Sequence, residues 1–149
     1  MVKSISIKIL SNLLHLFSFI FMMKFAMPKL VGNPISIKTF DYFATVLPVD
    51  GDSYRLFVGL LELGVGLLLI VNVFIADRAK NAYAIYVSYF LLSGVCIGAL
   101  FHEYFVRPEP VAFLVQLSVI FLFVAAFQFF VSFKYLEKDK ALALFGIDK

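Results

Sequence analysis

Charge is scarce in this chain, cysteine occurs once and tryptophan is absent. Only 15% of the 149 residues are Asp, Glu, Lys or Arg, too few to cover the surface of a soluble domain. Because Cys96 is the single cysteine, the chain can form neither an intrachain disulfide nor a CxxC redox pair. The basic residues form no block, which argues against a nucleic-acid partner.

Four long apolar runs fill most of the sequence. Hydrophobic residues make up 62% of the chain, and its mean hydropathy is +0.97. Each run is close to the ~20 residues that cross ~30 Å of hydrocarbon as a helix. The runs predict an all-α integral membrane protein with one domain over residues 1–149. The predicted transmembrane helices cover about 7–27, 54–76, 81–102 and 110–133, the first ending before Pro28.

The connections between the runs predict how the helices pack. Short links join helix 2 to helix 3 and helix 3 to helix 4, which favours an up-down four-helix bundle. The longer link between helices 1 and 2 contains Asn33-Pro34, a helix N-cap followed by proline at the first helical position. A short amphipathic helix over 34–47, lying in the membrane interface, is predicted from one apolar stripe: Ile37, Phe40, Ala44 and Leu47.

The distribution of Lys and Arg predicts the orientation of the chain. The N-terminus, the 2–3 link and the C-terminal tail hold eight of the 13 Lys and Arg residues, and the other side holds five. Since loops rich in Lys and Arg stay in the cytoplasm, both termini are predicted to be cytoplasmic.

Glu62, near the middle of the second run, is the leading candidate for a functional residue. An ionisable group in hydrocarbon costs ~2.5 kcal/mol or more unless it has a partner or water. Lys24, near the end of helix 1, lies at a compatible depth, so we predict a Lys24–Glu62 pair inside the helices. Three interpretations stay open: a site for a proton or polar ligand, a purely structural pair, or a Lys24 that extends towards water.

Further polar residues fall in the same half of the predicted bundle as Glu62. His102, Gln116 and Arg55 come from three different helices, and with Lys24 and Glu62 they predict one polar ligand-binding cavity. The alternative is that His102 is an ordinary residue of the membrane interface. No catalytic residue is identified, and His102-Glu103 lacks the i+3 or i+4 ligand that a metal motif requires.

Several other polar and small residues have structural interpretations. His15 and His102 differ in depth by more than the width of a haem, which argues against a haem between them. We expect His15 to be hydrogen-bonded to a backbone or hydroxyl group, and Gln128 and Asn72 to form interhelical hydrogen bonds. Helix 3 carries a Gly-x-x-x-Gly spacing, which predicts close packing inside the bundle at Gly94 and Gly98.

The order of these features resembles the DoxX-like family of small four-helix membrane proteins. The resemblance covers most of the chain and depends on Lys24 near the end of helix 1, a Gly-rich helix 2 carrying Glu62, and a helix 3 that closes on His102. It implies a bacterial inner-membrane protein, and some members are membrane subunits of oxidoreductases, including a thiosulfate:quinone oxidoreductase. A related branch often carries paired cysteines, from which this chain departs because Cys96 stands alone.

Two functions follow from the sequence and the resemblance. The first is a membrane subunit of a larger complex, redox-linked in some family members, with Glu62 as proton acceptor and Lys24 as its partner. The cofactor stays open, with a quinone as one candidate, and any catalysis belongs to the complex rather than to this chain alone. The alternative is a structural or scaffolding subunit without ligand or chemistry. The predicted partners are the lipid bilayer and other membrane proteins.

Overall fold

The computed structural model describes the backbone of residues 2–74 and 78–144, and the side chains of residues 9–74 and 82–134. Within these ranges the chain is helical and contains no strand, which confirms the predicted all-α class. The elements are α1 (Val2–Leu30), α2 (Pro34–Val46), α3 (Gly51–Phe74), α4 (Arg78–Phe101), a π-helical segment (His102–Val106) and α5 (Ala112–Leu144).

Four of these helices are long and apolar enough to cross a membrane. Large apolar side chains on them face outward, as shown by Phe57 at 61% exposure and Phe123 at 73%. Such surfaces are unfavourable in water and favourable in hydrocarbon. The chain is therefore a multi-pass membrane protein, with candidate spans Ile9–Leu30, Gly51–Phe74, Ala82–Val106 and Ala112–Lys134.

The end of helix 1 differs from its prediction. The sequence places it before Pro28, but α1 continues to Leu30 with Pro28 inside its last turn. Proline has no N–H to donate to the carbonyl four residues earlier, and this is the usual reason for a helix to stop. Here the following turn is still closed, because Val31 N donates to Met27 O (3.0 Å) and Asn33 N donates to Pro28 O (2.9 Å).

The other predicted helices are found with shifted ends. α3 begins at Gly51, not at 54, because Asp50 caps it: Asp50 Oδ1 accepts from Ser53 N (2.8 Å), and the Asp50 carbonyl accepts from Tyr54 N (3.0 Å). α4 begins at residue 78, not at 81, and α5 continues beyond 133 to Leu144. Most of the predicted 2–3 link and the C-terminal tail lies outside the residues whose side chains are described.

The segment predicted to be helical between the first two spans is helical, over Pro34–Val46. Asn33 is its N-cap and accepts a hydrogen bond from Ile35 N (3.0 Å), as predicted. The turn before it places Gly32 at φ +70°, a conformation that glycine adopts without steric cost. On its apolar face Phe40 and Phe43 are buried against one cluster of side chains: Leu47, Tyr54, Val58 and Val106.

The long helices pack mainly as two pairs, α1 with α3 and α4 with α5. We call the end that carries α2 the α2 end, and the end that carries Ser11 and Gln128 the opposite end. Between them, Met22 of α1 and residues of α3, α4 and α5 form one apolar core: Val65, Leu69, Ile85, Tyr89, Leu92, Cys96, Phe121 and Ala125.

Glycine allows the close approach of α1 and α3. A Cβ on Gly59 would lie 3.0 Å from both Lys29 Cβ and Leu30 Cδ2, closer than side chains normally pack. The prediction of close packing at Gly94 and Gly98 is wrong, since no described residue outside α4 has an atom within 4 Å of a Cβ built on either glycine. The Gly-x-x-x-Gly spacing reports only that two small residues share a face, not that another helix covers it.

Candidate functional site: a buried ion pair at the α2 end

The central feature of the α2 end is an ion pair between Lys29 of α1 and Glu62 of α3. Lys29 Nζ donates to Glu62 Oε1 (2.9 Å) and Oε2 (2.8 Å), and also to the carbonyl of Phe25 (3.0 Å). The exposed fraction is 14% for the Lys29 side chain and 8% for that of Glu62. An ammonium group has three N–H donors. All three have acceptors within the protein.

Arg55, two turns before Glu62 on α3, extends this cluster. Its Nη1 donates to the backbone carbonyl of Lys29, and its Nε and Nη2 donate to Asp52 Oδ1 (3.2 and 2.9 Å). Arg55 is buried, whereas the side chain of Asp52 is 69% exposed. Arg55, Gly59 and Glu62 recur at i, i+4 and i+7, so they lie on the face of α3 that meets α1. The two cations are thus fixed between the helices.

The predicted pair of Lys24 with Glu62 is wrong. Lys24 is exposed, and its Nζ lies 5.7 Å from the centroid of the Phe113 ring on α5. The error has a physical cause: α1 continues through Pro28, and this places Lys29 on the stripe of Met22 and Ala26 that faces α3. The spacing of Met22, Ala26 and Lys29 is present in the sequence, but the rule that proline ends a helix leaves Lys29 outside helix 1.

Two other predicted members of the cavity lie apart from the ion pair. Gln116 is exposed on α5, so the structure does not place it in a polar interior with Glu62. His102 is half-buried and is bonded to Tyr54 instead. Of the predicted site residues, only Arg55 and Glu62 belong to one connected cluster, and Glu62 is buried as predicted. Whether these residues bind a ligand stays a prediction.

Tyr54 and His102 form a second polar contact at the α2 end, between α3 and the start of the π-helical segment. The Tyr54 hydroxyl oxygen lies 2.7 Å from His102 Nε2, and His102 Nδ1 lies 2.6 Å from the carbonyl oxygen of Gly98. Because a carbonyl only accepts, Nδ1 carries the hydrogen, and in the neutral ring Nε2 accepts from Tyr54. The Phe43 ring of α2 lies 4.9 Å from the His102 ring and covers the contact.

Glu103, the neighbour of His102 in the pair that the sequence excludes as a metal motif, is also buried at this end. Its Oε2 accepts from Val111 N (2.7 Å) and so fixes the turn that leads into α5. Its Oε1 lies 3.2 Å from Arg107 Nε. Arg107 Nε has no hydrogen-bond partner among the described residues, so this contact is an ion pair and not a hydrogen bond. Because all these bonds are local, Glu103 serves to shape the chain.

The opposite end holds a second buried hydrogen-bond network. Ser11 Oγ donates to Gln128 Oε1 (2.8 Å), and Gln128 Nε2 donates to the Ser11 carbonyl (3.3 Å), which joins α1 to α5. His15 Nδ1 lies 2.9 Å from the Tyr89 hydroxyl, which joins α1 to α4. Asn72 Nδ2 also donates across helices, to Ser88 Oγ (3.0 Å). The predicted bonding of His15, Gln128 and Asn72 is confirmed.

These arrangements limit the chemistry that the described residues can support. Among the side chains at 9–74 and 82–134, no three His, Cys, Asp or Glu residues come together as metal ligands. The Lys29–Glu62 pair has no spare donor for a ligand, whereas Tyr54 and His102 are both capable of proton transfer. No protein-family model matches the chain, and neither a curated protein nor a solved structure matches it.

Proposed function

We propose that this protein is a structural subunit of a membrane assembly, and that the Lys29–Glu62 pair joins α1 to α3. The observation that carries the proposal is the complete internal bonding of the ammonium group, with three acceptors at 2.8–3.0 Å. A ligand that accepts from Lys29 would have to displace one of these acceptors, and the remaining acceptor positions of Glu62 lie on a side chain that is only 8% exposed. The same residues are better suited to holding two apolar helices in one register.

The architecture that goes with this proposal is an up-down four-helix bundle with α2 in the membrane interface. It is supported by the order of the contacts: within each pair of contacting helices, residues later in one helix contact residues earlier in the other, as in antiparallel helices. Between α1 and α3 they run from Lys29–Glu62 to Met22–Gly66. Between α4 and α5 they run from Glu103–Val111, in the segment that joins the two helices, to Tyr86–Phe129. We further propose that the protein is DoxX-like and lies in a bacterial inner membrane with both termini cytoplasmic, from the sequence features given above.

One observation favours a second function, that of a proton-linked subunit of a redox complex. The Tyr54–His102 hydrogen bond joins two groups that can exchange a proton, and His102 is half-buried rather than sealed. A quinone is the cofactor class that this function requires, since its reduction takes up protons.

The experiment that separates the two functions is purification of the native assembly in mild detergent. We compare the wild type with the double variant Lys29→Met/Glu62→Leu, after extracting bound small molecules for mass analysis. The structural function predicts that both proteins fold and recover the same membrane partners. Loss of a bound molecule with partners retained would contradict it. A quinone bound to the wild type and lost in His102→Phe would establish the second function instead.

A further inference from the structure

An apolar groove runs beside the contact between α1 and α5. The two helices meet where the rings of Phe21 and Phe121 stack at 3.8 Å and where Ser11 is bonded to Gln128. Next to this line of contact the outward-facing side chains leave a groove of about 330 Å³. Its walls contain no polar side chain: Leu10, Leu14, Ile120, Phe123, Val124 and Phe127.

The groove lies at the depth of hydrocarbon. Its lining residues all belong to the candidate spans Ile9–Leu30 and Ala112–Lys134. A second groove, of about 390 Å³, shares Leu14 with the first and continues along α1 past Phe17 to Ile20. In a membrane such grooves are filled either by another helix or by lipid chains.

The size of the lining residues favours a lipid chain. Helices that associate in membranes present small residues, which let the two backbones come close. Here the walls are Leu, Ile, Val and Phe, with Phe123 73% exposed. A flexible acyl chain can follow the irregular floor between such side chains, whereas a second helix would be held away from it.

A cation marks one end of the groove. Along α5 the residues Phe123, Phe127, Phe130 and Lys134 recur at i, i+4, i+7 and i+11, so they share one face. Lys134 is the last residue of its span, ~10 Å beyond Phe127 along the helix axis. It is exposed, and its Nζ lies 4.5 Å from the centroid of the Phe130 ring.

Among the described side chains, Lys134 has no acidic partner. It takes part in none of the ion pairs formed among the described side chains, which involve Lys29, Arg55 and Arg107. The acidic residues in those ranges lie at the α2 end or, for Glu62, within α3. Lysines at the end of a membrane span attract the phosphate groups of anionic lipids.

We propose that the groove and Lys134 together bind one anionic phospholipid, with an acyl chain between α1 and α5 and the phosphate at Lys134. The spacing of the two parts fits this ligand, because the charged group is at the end of the span and the apolar groove begins ~10 Å deeper, at Phe127, and runs from there towards the middle of the membrane. This inference is independent of the function proposed above.

The test is lipid binding to the detergent-purified protein, measured by native mass spectrometry. Phosphatidylglycerol and phosphatidylcholine with identical acyl chains are titrated separately. We expect the wild type to prefer phosphatidylglycerol, and Lys134→Gln to lose about fivefold in affinity for it, which is the contribution of one lysine near a membrane surface. The matched control is Lys24→Gln, an exposed lysine over the Phe113 ring at the α2 end, which should keep the preference.

A second variant tests the groove itself. Phe123→Ala removes an exposed ring from the wall of the groove and leaves the apolar core unchanged, so the variant should fold. It should bind both lipids more weakly than the wild type does. Equal loss of phosphatidylglycerol in Lys134→Gln and Lys24→Gln would overturn the assignment of the phosphate. Unchanged lipid binding in Phe123→Ala would overturn the assignment of the chain, as would a dimer that the same substitution dissociates.

Discussion

Removing the partners of the Lys29–Glu62 pair one at a time should destabilise the protein far more than removing both. In Lys29→Met the Glu62 carboxylate loses the ammonium that donates to both of its oxygens, at 8% side-chain exposure. Breaking a buried ion pair from one side typically costs ~3–5 kcal/mol. We expect the free energy of unfolding to fall by that amount.

The reverse substitution should cost less, because the two residues differ in their surroundings. In Glu62→Leu the ammonium of Lys29 keeps its bond to the Phe25 carbonyl and lies one residue from the end of α1. From there its side chain can extend towards the membrane surface. The double variant Lys29→Met/Glu62→Leu leaves no buried charge and should be close to the wild type, since apolar replacement of both partners is often neutral or stabilising.

The assay is reversible unfolding in mixed micelles, which gives a free energy for each corner of the thermodynamic cycle. We expect a coupling of at least about 2 kcal/mol, near the upper range for residues in contact. Lys24→Met is the control and should change stability by less than ~0.5 kcal/mol, as exposed residues usually do. Strictly additive effects of the two substitutions would refute the reasoning.

Three further predictions concern the surroundings of the pair. Gly59→Ala should lower the free energy of unfolding by ~1–3 kcal/mol, since its Cβ would push against α1, while Gly64→Ala, which meets open space, should be neutral or stabilising in the same assay. Tyr54→Phe should cost ~0.5–1.5 kcal/mol by removing the hydrogen bond to the half-buried imidazole, and equal stability would contradict the assigned contact. The hydrogen bond from Ser53 N lowers the pKa of Asp50 below its ordinary value of 3.8, so it stabilises the folded state above that pH, and this stabilisation is lost as the pH falls through the lowered pKa. Asp50→Asn should flatten this part of the plot of unfolding free energy against pH. An unchanged plot would exclude the Asp50 cap as the source of the pH dependence.

The positions of the helices could be predicted from the sequence, because the length of an apolar run and the cost of unpaired backbone groups in hydrocarbon decide them. All four spans were found in this way, and the helix after Asn33 was found from its N-cap and its apolar stripe. The partner of Glu62 could not be predicted from the sequence, because it depends on where α1 ends. The preference of proline for helix ends predicts that α1 stops before Pro28, whereas the backbone N–H groups of Val31 and Asn33 close the following turn with hydrogen bonds.

The contacts between helices could not be predicted from the sequence, for a different reason. A hydrogen bond such as His15–Tyr89 depends on the rotation of two helices about their own axes. Periodicity identifies the polar face of a helix but not which neighbour it meets. Residue type was sufficient to predict that His15 and Gln128 would be bonded, since unpaired polar groups are costly in a membrane. It was not sufficient to name Tyr89 or Ser11 as the partners.

The two ends of the protein use different polar groups because the backbone offers different partners there. The last carbonyls of a helix have no partner within it, and its C-terminus carries a partial negative charge. At the α2 end, Arg55 donates to the carbonyl of Lys29, which is one of these last carbonyls of α1, and Lys29 itself lies in the same turn, so both cations lie where α1 ends. Glu62 and Asp52 then balance those charges. The opposite network lies within continuous helices, away from the partial negative charge of a helix C-terminus, so a cation placed there would lack that stabilisation. Neutral groups such as Ser11 and Gln128 can satisfy each other without that support.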